Sequence, residues 1–149
     1  MSREAVMDLA GDRGPQRLLS LGLAMTLVAV GLGSCTGTQG MEGMPVDIAA
    51  APRVVREAYT FALAHPDVLT QIPCYCGCGA IGHTSNYACY VSDVAADGTI
   101  AYDSHALGCS ICVDITRDTE RLLGEGRTLA QVRAEVDSTY SAFGPSNMP

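Results

Sequence analysis

The stretch Pro73-Cys74-Tyr75-Cys76-Gly77-Cys78-Gly79 decides how this chain folds. Three cysteines alternate with a tyrosine and a glycine. Neither this stretch nor the residues after it, as far as Cys89, show the spacing of an amphipathic helix or strand. A segment with so little apolar surface must be ordered by something other than a core. Alternate residues of an extended chain point to one side, so Cys74, Cys76 and Cys78 can present three sulfurs together. Gly77 and Gly79 let the backbone bend around whatever those sulfurs hold. Cys89 follows, and then Cys109-Ser110-Ile111-Cys112 at an expected helix start, where backbone N–H groups and the helix dipole favour thiolates. His83 and His105 lie in expected loops beside these cysteines.

The flanking segments read as helices. Val54, Ala58, Phe61, Ala62 and His65 recur at helical spacing over 51–65, and Pro66 ends that helix and opens a short helical turn through Ile72. A second main helix is expected over 109–123, with Ile111, Ile115, Leu122 and Leu123 on one face and Gly124 and Gly126 at its end. A third begins at Thr128, capped with Gln131, and carries Leu129, Val132, Val136 and Tyr140. Cys89–Val91 and Thr99–Tyr102 are β-prone, and Asp97-Gly98 between them signals a turn, so a small β-hairpin is expected. The fold class is mainly α: one small domain, 51–145, whose helices surround a cysteine- and glycine-rich loop.

Composition sets the limits. The 149 residues include seven Cys, no Trp and sixteen acidic residues against nine basic ones, all of them Arg. A net charge of -7 without a basic run argues against nucleic-acid binding, because neutralising phosphates takes clustered Lys or Arg. With 48% hydrophobic and 17% charged residues, the chain can pack a core. No Ser stands convincingly with a His and a carboxylate, and no glycine loop resembles a phosphate cradle.

The amino-terminal segment reads as an address. Arg3, Arg13 and Arg17 precede an apolar run of about sixteen residues from Leu18 to Gly33, shorter than the ~20 a membrane-spanning helix needs. Leu32-Gly33-Ser34-Cys35 then resembles a bacterial lipobox. That resemblance implies cleavage of a signal peptide, 1–34, and diacylation of Cys35, with palmitate among the expected acyl chains. A flexible tether, 35–50, would link the anchor to the domain. The protein is therefore expected outside the cytoplasmic membrane, lipid-anchored to the bacterial cell envelope.

Three chemistries fit the remaining six cysteines. They can form a disulfide framework, since an exported domain meets an oxidising environment and their number is even. They can bind a soft metal through Cys74, Cys76, Cys78, Cys89, Cys109 and Cys112, with His83 and His105 as ligands and Asp103 or Asp114 orienting an imidazole. Or Cys109 and Cys112 can act as a thiol–disulfide redox pair, although no strand precedes them as in a thioredoxin. Haem attachment is disfavoured because Val113, not His, follows Cys112. Closely spaced thiolates suit Cu(I), with zinc as the alternative, so metal handling or sensing is the expected role and catalysis is not.

Pro73 to Gly79, with Gly82-His83, Cys89, Tyr102-Asp103-Ser104-His105, Cys109 to Ile115 and a closing helix, resembles the PCYCGC-motif family of bacterial exported lipoproteins. The resemblance covers the chain from about residue 53 to residue 140. It implies an exported, membrane-anchored protein whose six cysteines act together. Ala106-Leu107-Gly108 departs from the more glycine-rich turn expected after His105. The anchor is testable by fractionation: Cys35→Ala is expected to move the protein from the membrane fraction to the wash, and full retention would mean that a spanning segment holds it.

Overall fold

A pair of packed helices sets the frame for the cysteine loop. The computed structural model describes residues 43–148; the expected signal peptide and Cys35 lie outside them. Helix α1 spans Val46–Ala50, α2 Arg53–Ala64 and α3 Pro66–Leu69. The β-hairpin pairs β1, Val91–Val94, with β2, Ile100–Tyr102. Helices α4, His105–Gly108, α5, Ser110–Gly124, and α6, Leu129–Tyr140, complete the order. Among the described residues no helix is long and apolar enough to cross a membrane.

Helix α5 packs against both α2 and α6. It turns Ile115 and Leu122 into the core, as the spacing predicts, and also buries Thr116 and Thr119. Helix α2 contributes Ala58, Phe61 and Ala62, and α6 contributes Val132, Val136 and Tyr140. Thr128 caps α6, accepting from Gln131 N–H while the Gln131 side chain accepts from the Thr128 N–H, which completes the expected capping box.

Three details differ from the sequence expectation. The packed chain begins upstream of residue 51: Ile48, on α1 inside the expected tether, is 1% exposed. A five-residue helix has too little length for periodicity to reveal it, and tertiary burial of one isoleucine holds it in place. His105 lies on the short helix α4 rather than in a loop, so Ala106-Leu107-Gly108 forms a helical turn with Ala106 buried. The first strand starts later than expected, because Cys89 closes a 3-10 turn whose N–H bonds back to Asn86 O at 3.1 Å. The hairpin turn falls at the expected Asp97-Gly98, with Gly98 at φ +86, and a bulge interrupts the ladder between Val91 and Asp93.

Ile115 is fully buried where α5 meets its neighbours. Ile115→Ala is therefore expected to cost about 2–5 kcal/mol of stability in urea denaturation. Exposed Val94→Ala serves as the reference, at under about 0.5 kcal/mol.

Candidate metal centre

Two segments bring the sulfur and imidazole donors together. The loop after α3 carries Cys74, Cys76, Cys78, His83 and Cys89, and α4 with the start of α5 carries His105, Cys109 and Cys112. The loop leaves its extended path at Gly77, φ +84, and turns through a 3-10 segment, Cys78–Ile81, that ends at Gly82, φ +94. These left-handed positions favour glycine because a Cβ would be strained there. Cys109 is the N-cap of α5, and Cys112 lies in its first turn.

All eight side chains fall in one cluster. Cys74 Sγ is 3.4 Å from Cys76 Sγ, and each of these is 3.5 Å from Cys112 Sγ. His105 Nε2 is 3.3 Å from Cys76 Sγ, and Cys78 and Cys89 are 3.7 Å apart. A tetrahedral ion with ~2.3 Å bonds to sulfur spaces its ligands ~3.8 Å apart, so little movement would be needed to close a site. The six thiols are free. Cys74, Cys78, Cys89 and Cys112 are buried, whereas Cys76 and Cys109 are partly exposed.

His83 supplies a direct test of whether these residues suit a metal. Its Nε2 faces Asp103 Oδ2 at 3.4 Å, which favours a proton on that nitrogen. Its Nδ1 is buried without a hydrogen-bond partner. A buried lone pair with no donor is costly, and a metal ion satisfies it. The same Asp103 accepts from the His105 backbone N–H through Oδ1 at 2.7 Å, so one carboxylate steadies both histidine positions. Tyr59 fixes Asp103 in turn, donating to its carbonyl at 2.7 Å. Asp114, the other carboxylate considered from sequence, lines a cleft between α2 and α5 with Arg53 and Arg117.

Sequence reasoning missed two supports. The first is a buried polar chain behind Cys112. Tyr90 lies 2.7 Å from Thr116 Oγ1, Thr116 donates to Asn86 Oδ1 at 2.6 Å, and Asn86 donates to Cys112 O at 3.2 Å. A polar asparagine and threonine give no periodic signal of burial. The second support is Asn147, beyond the expected domain end at 145. Its side chain accepts from Cys74 N–H at 2.7 Å and donates to Ser85 O at 3.1 Å and Cys78 Sγ at 3.5 Å. Its backbone N–H also donates to Cys74 O at 3.1 Å.

The clustered cysteines and histidines could hold a metal ion. The family model described as protein of unknown function with PCYCGC motif matches residues 35–147. The chain belongs to this family. No curated protein and no solved structure matches the chain. The PCYCGC motif thus contributes three of the six thiols, and the matched span reaches Asn147, which straps that motif down.

Packing the thiols of the PCYCGC motif against Cys112 sets their charge. Cys74 is held well below the usual thiol range, first by hydrogen bonding from Cys112 and then from Cys89. The same contacts, with Cys74 first, push Cys112 up. Burial and then a hydrogen bond with Cys78 push Cys76 up, while burial and then the charge on Cys74 push Cys78 up. The cluster without metal therefore takes one negative charge readily and resists a second. A metal ion requires thiolates, so binding must release protons from the raised thiols. Apparent metal affinity is expected to rise with pH between about 6 and 8, by about tenfold per pH unit for each proton released. A flat profile in metal-competition titrations would contradict this charge arrangement.

Proposed function

We propose that this protein is an exported, lipid-anchored metal-binding protein that holds a soft ion outside the membrane, Cu(I) first and zinc as its rival, for metal handling or sensing. The observation that carries the proposal is the convergence of six thiols and two imidazoles from two separate segments on one small volume. Soft thiolate donors favour Cu(I) and zinc over hard cations. Partial exposure of Cys76 and Cys109 leaves an edge through which an ion can enter and leave. The lipobox supports anchoring at Cys35.

The geometry counts against an isolated redox pair. Cys112 Sγ lies 3.5 Å from the sulfurs of both Cys74 and Cys76, so Cys112 is engaged with the loop and not with its C-x-x-C partner alone. A shared site makes the two segments depend on each other. In anaerobic loading with Cu(I) or zinc, Cys76→Ser and Cys112→Ser are each expected to lower bound metal. Retention of full metal by Cys112→Ser, together with loss of disulfide reductase activity present in the wild type, would replace the shared site with a redox module.

A further inference from the structure

We infer that the centre holds two metal ions rather than one, joined through the thiolate of Cys74. The inference rests on the metal-binding proposal above and adds the number of ions and their inequality. The donor atoms form two sets of four, each set mutually within 4.8 Å: Cys76, His105, Cys109 and Cys112 in one, and Cys78, His83, Cys89 and His105 in the other. Only His105 is common to both. Its Nε2 contact with Cys76 Sγ, at 3.3 Å, assigns it to the first set. The second set then has three donors of its own and is one short of a tetrahedral shell.

Cys74 is placed to fill that vacancy. It groups with Cys76 and Cys78, and separately with Cys89 and Cys112, all within 4.8 Å. It therefore belongs to neither set of four yet has two sulfur neighbours in each, Cys76 and Cys112 in the first and Cys78 and Cys89 in the second, a position no other thiol of the cluster holds. A thiolate sulfur has lone pairs enough for two ions and keeps them within about 4.6 Å, twice a metal–sulfur bond. One tetrahedral ion would use four donors and strand the others: in the first set it would leave buried Cys78 and Cys89 and the unpartnered Nδ1 of His83, and in the second it would leave buried Cys112. A second cation also relieves repulsion between neighbouring thiolates in a low-dielectric site.

The two positions are unequal. In the outer set Cys76, His105 and Cys109 are partly exposed and only Cys112 is buried. In the inner set Cys78 and Cys89 are buried, as is bridging Cys74, and the His83 side chain is 11% exposed. The outer ion should exchange and the inner ion should remain, ordering the loop.

The test uses the full chain, reduced and loaded anaerobically with isotope-enriched cadmium, a thiophilic divalent probe. Native mass spectrometry should count two ions per chain. Cadmium NMR should show two resonances split by mutual coupling through the shared sulfur. A chelator should remove one ion first, and it should be the ion whose signal is missing in Cys109→Ser, a variant expected to keep a single inner ion. Saturation at one ion, two resonances without coupling, or loss of both ions in Cys109→Ser would each overturn the bridged pair. No bound cadmium at all would overturn the metal-binding proposal itself, so the two failures are distinct. Cys74→Ser should abolish the splitting; because the coupling is read on the wild type, misfolding of this variant would leave the test decisive.

Discussion

The meeting of Cys112 with the loop thiols is the interaction on which the rest depends. Helix α5 buries Cys112, Val113, Ile115, Thr116, Thr119 and Leu122, and Cys112 lies in its first turn, with its sulfur 3.5 Å from both Cys74 and Cys76. A loop with few apolar residues is thereby fastened to a helix that packs against α2, α4 and α6. The carbonyl of Cys112 is tied as well, accepting from Asn86 at 3.2 Å and Tyr90 at 2.9 Å. Both donors come from the segment that closes the loop. Buried polar networks of this kind rigidify when every member is satisfied, and here they fix the backbone that aims the sulfur.

A second set of constraints comes from the far end of the chain. After α6 the backbone turns back, and Asn147 pairs with Cys74 through both main chain and side chain. Gly144 passes so close to Tyr75 O that a Cβ there would lie 2.9 Å from it. Tyr75 itself reaches away from the sulfurs to donate to Asp137 on α6 at 2.6 Å. The tyrosine inside the PCYCGC motif is thus a fastening to α6, while the cysteines on either side face the centre.

These constraints create an electrostatic problem that the chain does not solve with its own cations. The salt bridges of Arg53 and Arg121 lie on exposed helix surface, and no Arg pairs with a cysteine among the described residues. Hydrogen bonds from neighbouring thiols stabilise one thiolate at Cys74. Further ionisation is resisted by burial and by that first charge. A soft cation would supply the missing positive charge and the missing partner of His83 Nδ1 together.

Much of this was legible in the sequence. Helical spacing located α2, α5 and α6, because each buries a stripe of side chains against the others, and the Thr128 cap and the Asp97-Gly98 turn are local signals. The chemical character of the cluster was also legible, since clustered Cys with two His nearby imply soft-donor chemistry in any arrangement. The tertiary structure decided which donors are neighbours. Alternation predicted that Cys74, Cys76 and Cys78 present their sulfurs together, and these do lie within 4.8 Å of one another, but the left-handed turn at Gly77 also sends Cys78 toward Cys89 while Cys76 meets His105. The choice of Asp103 over Asp114, the anchoring of Ile48 and the strap formed by Asn147 were likewise hidden. Each depends on a contact between residues far apart in the chain, and neither periodicity nor capping chemistry carries information about such contacts.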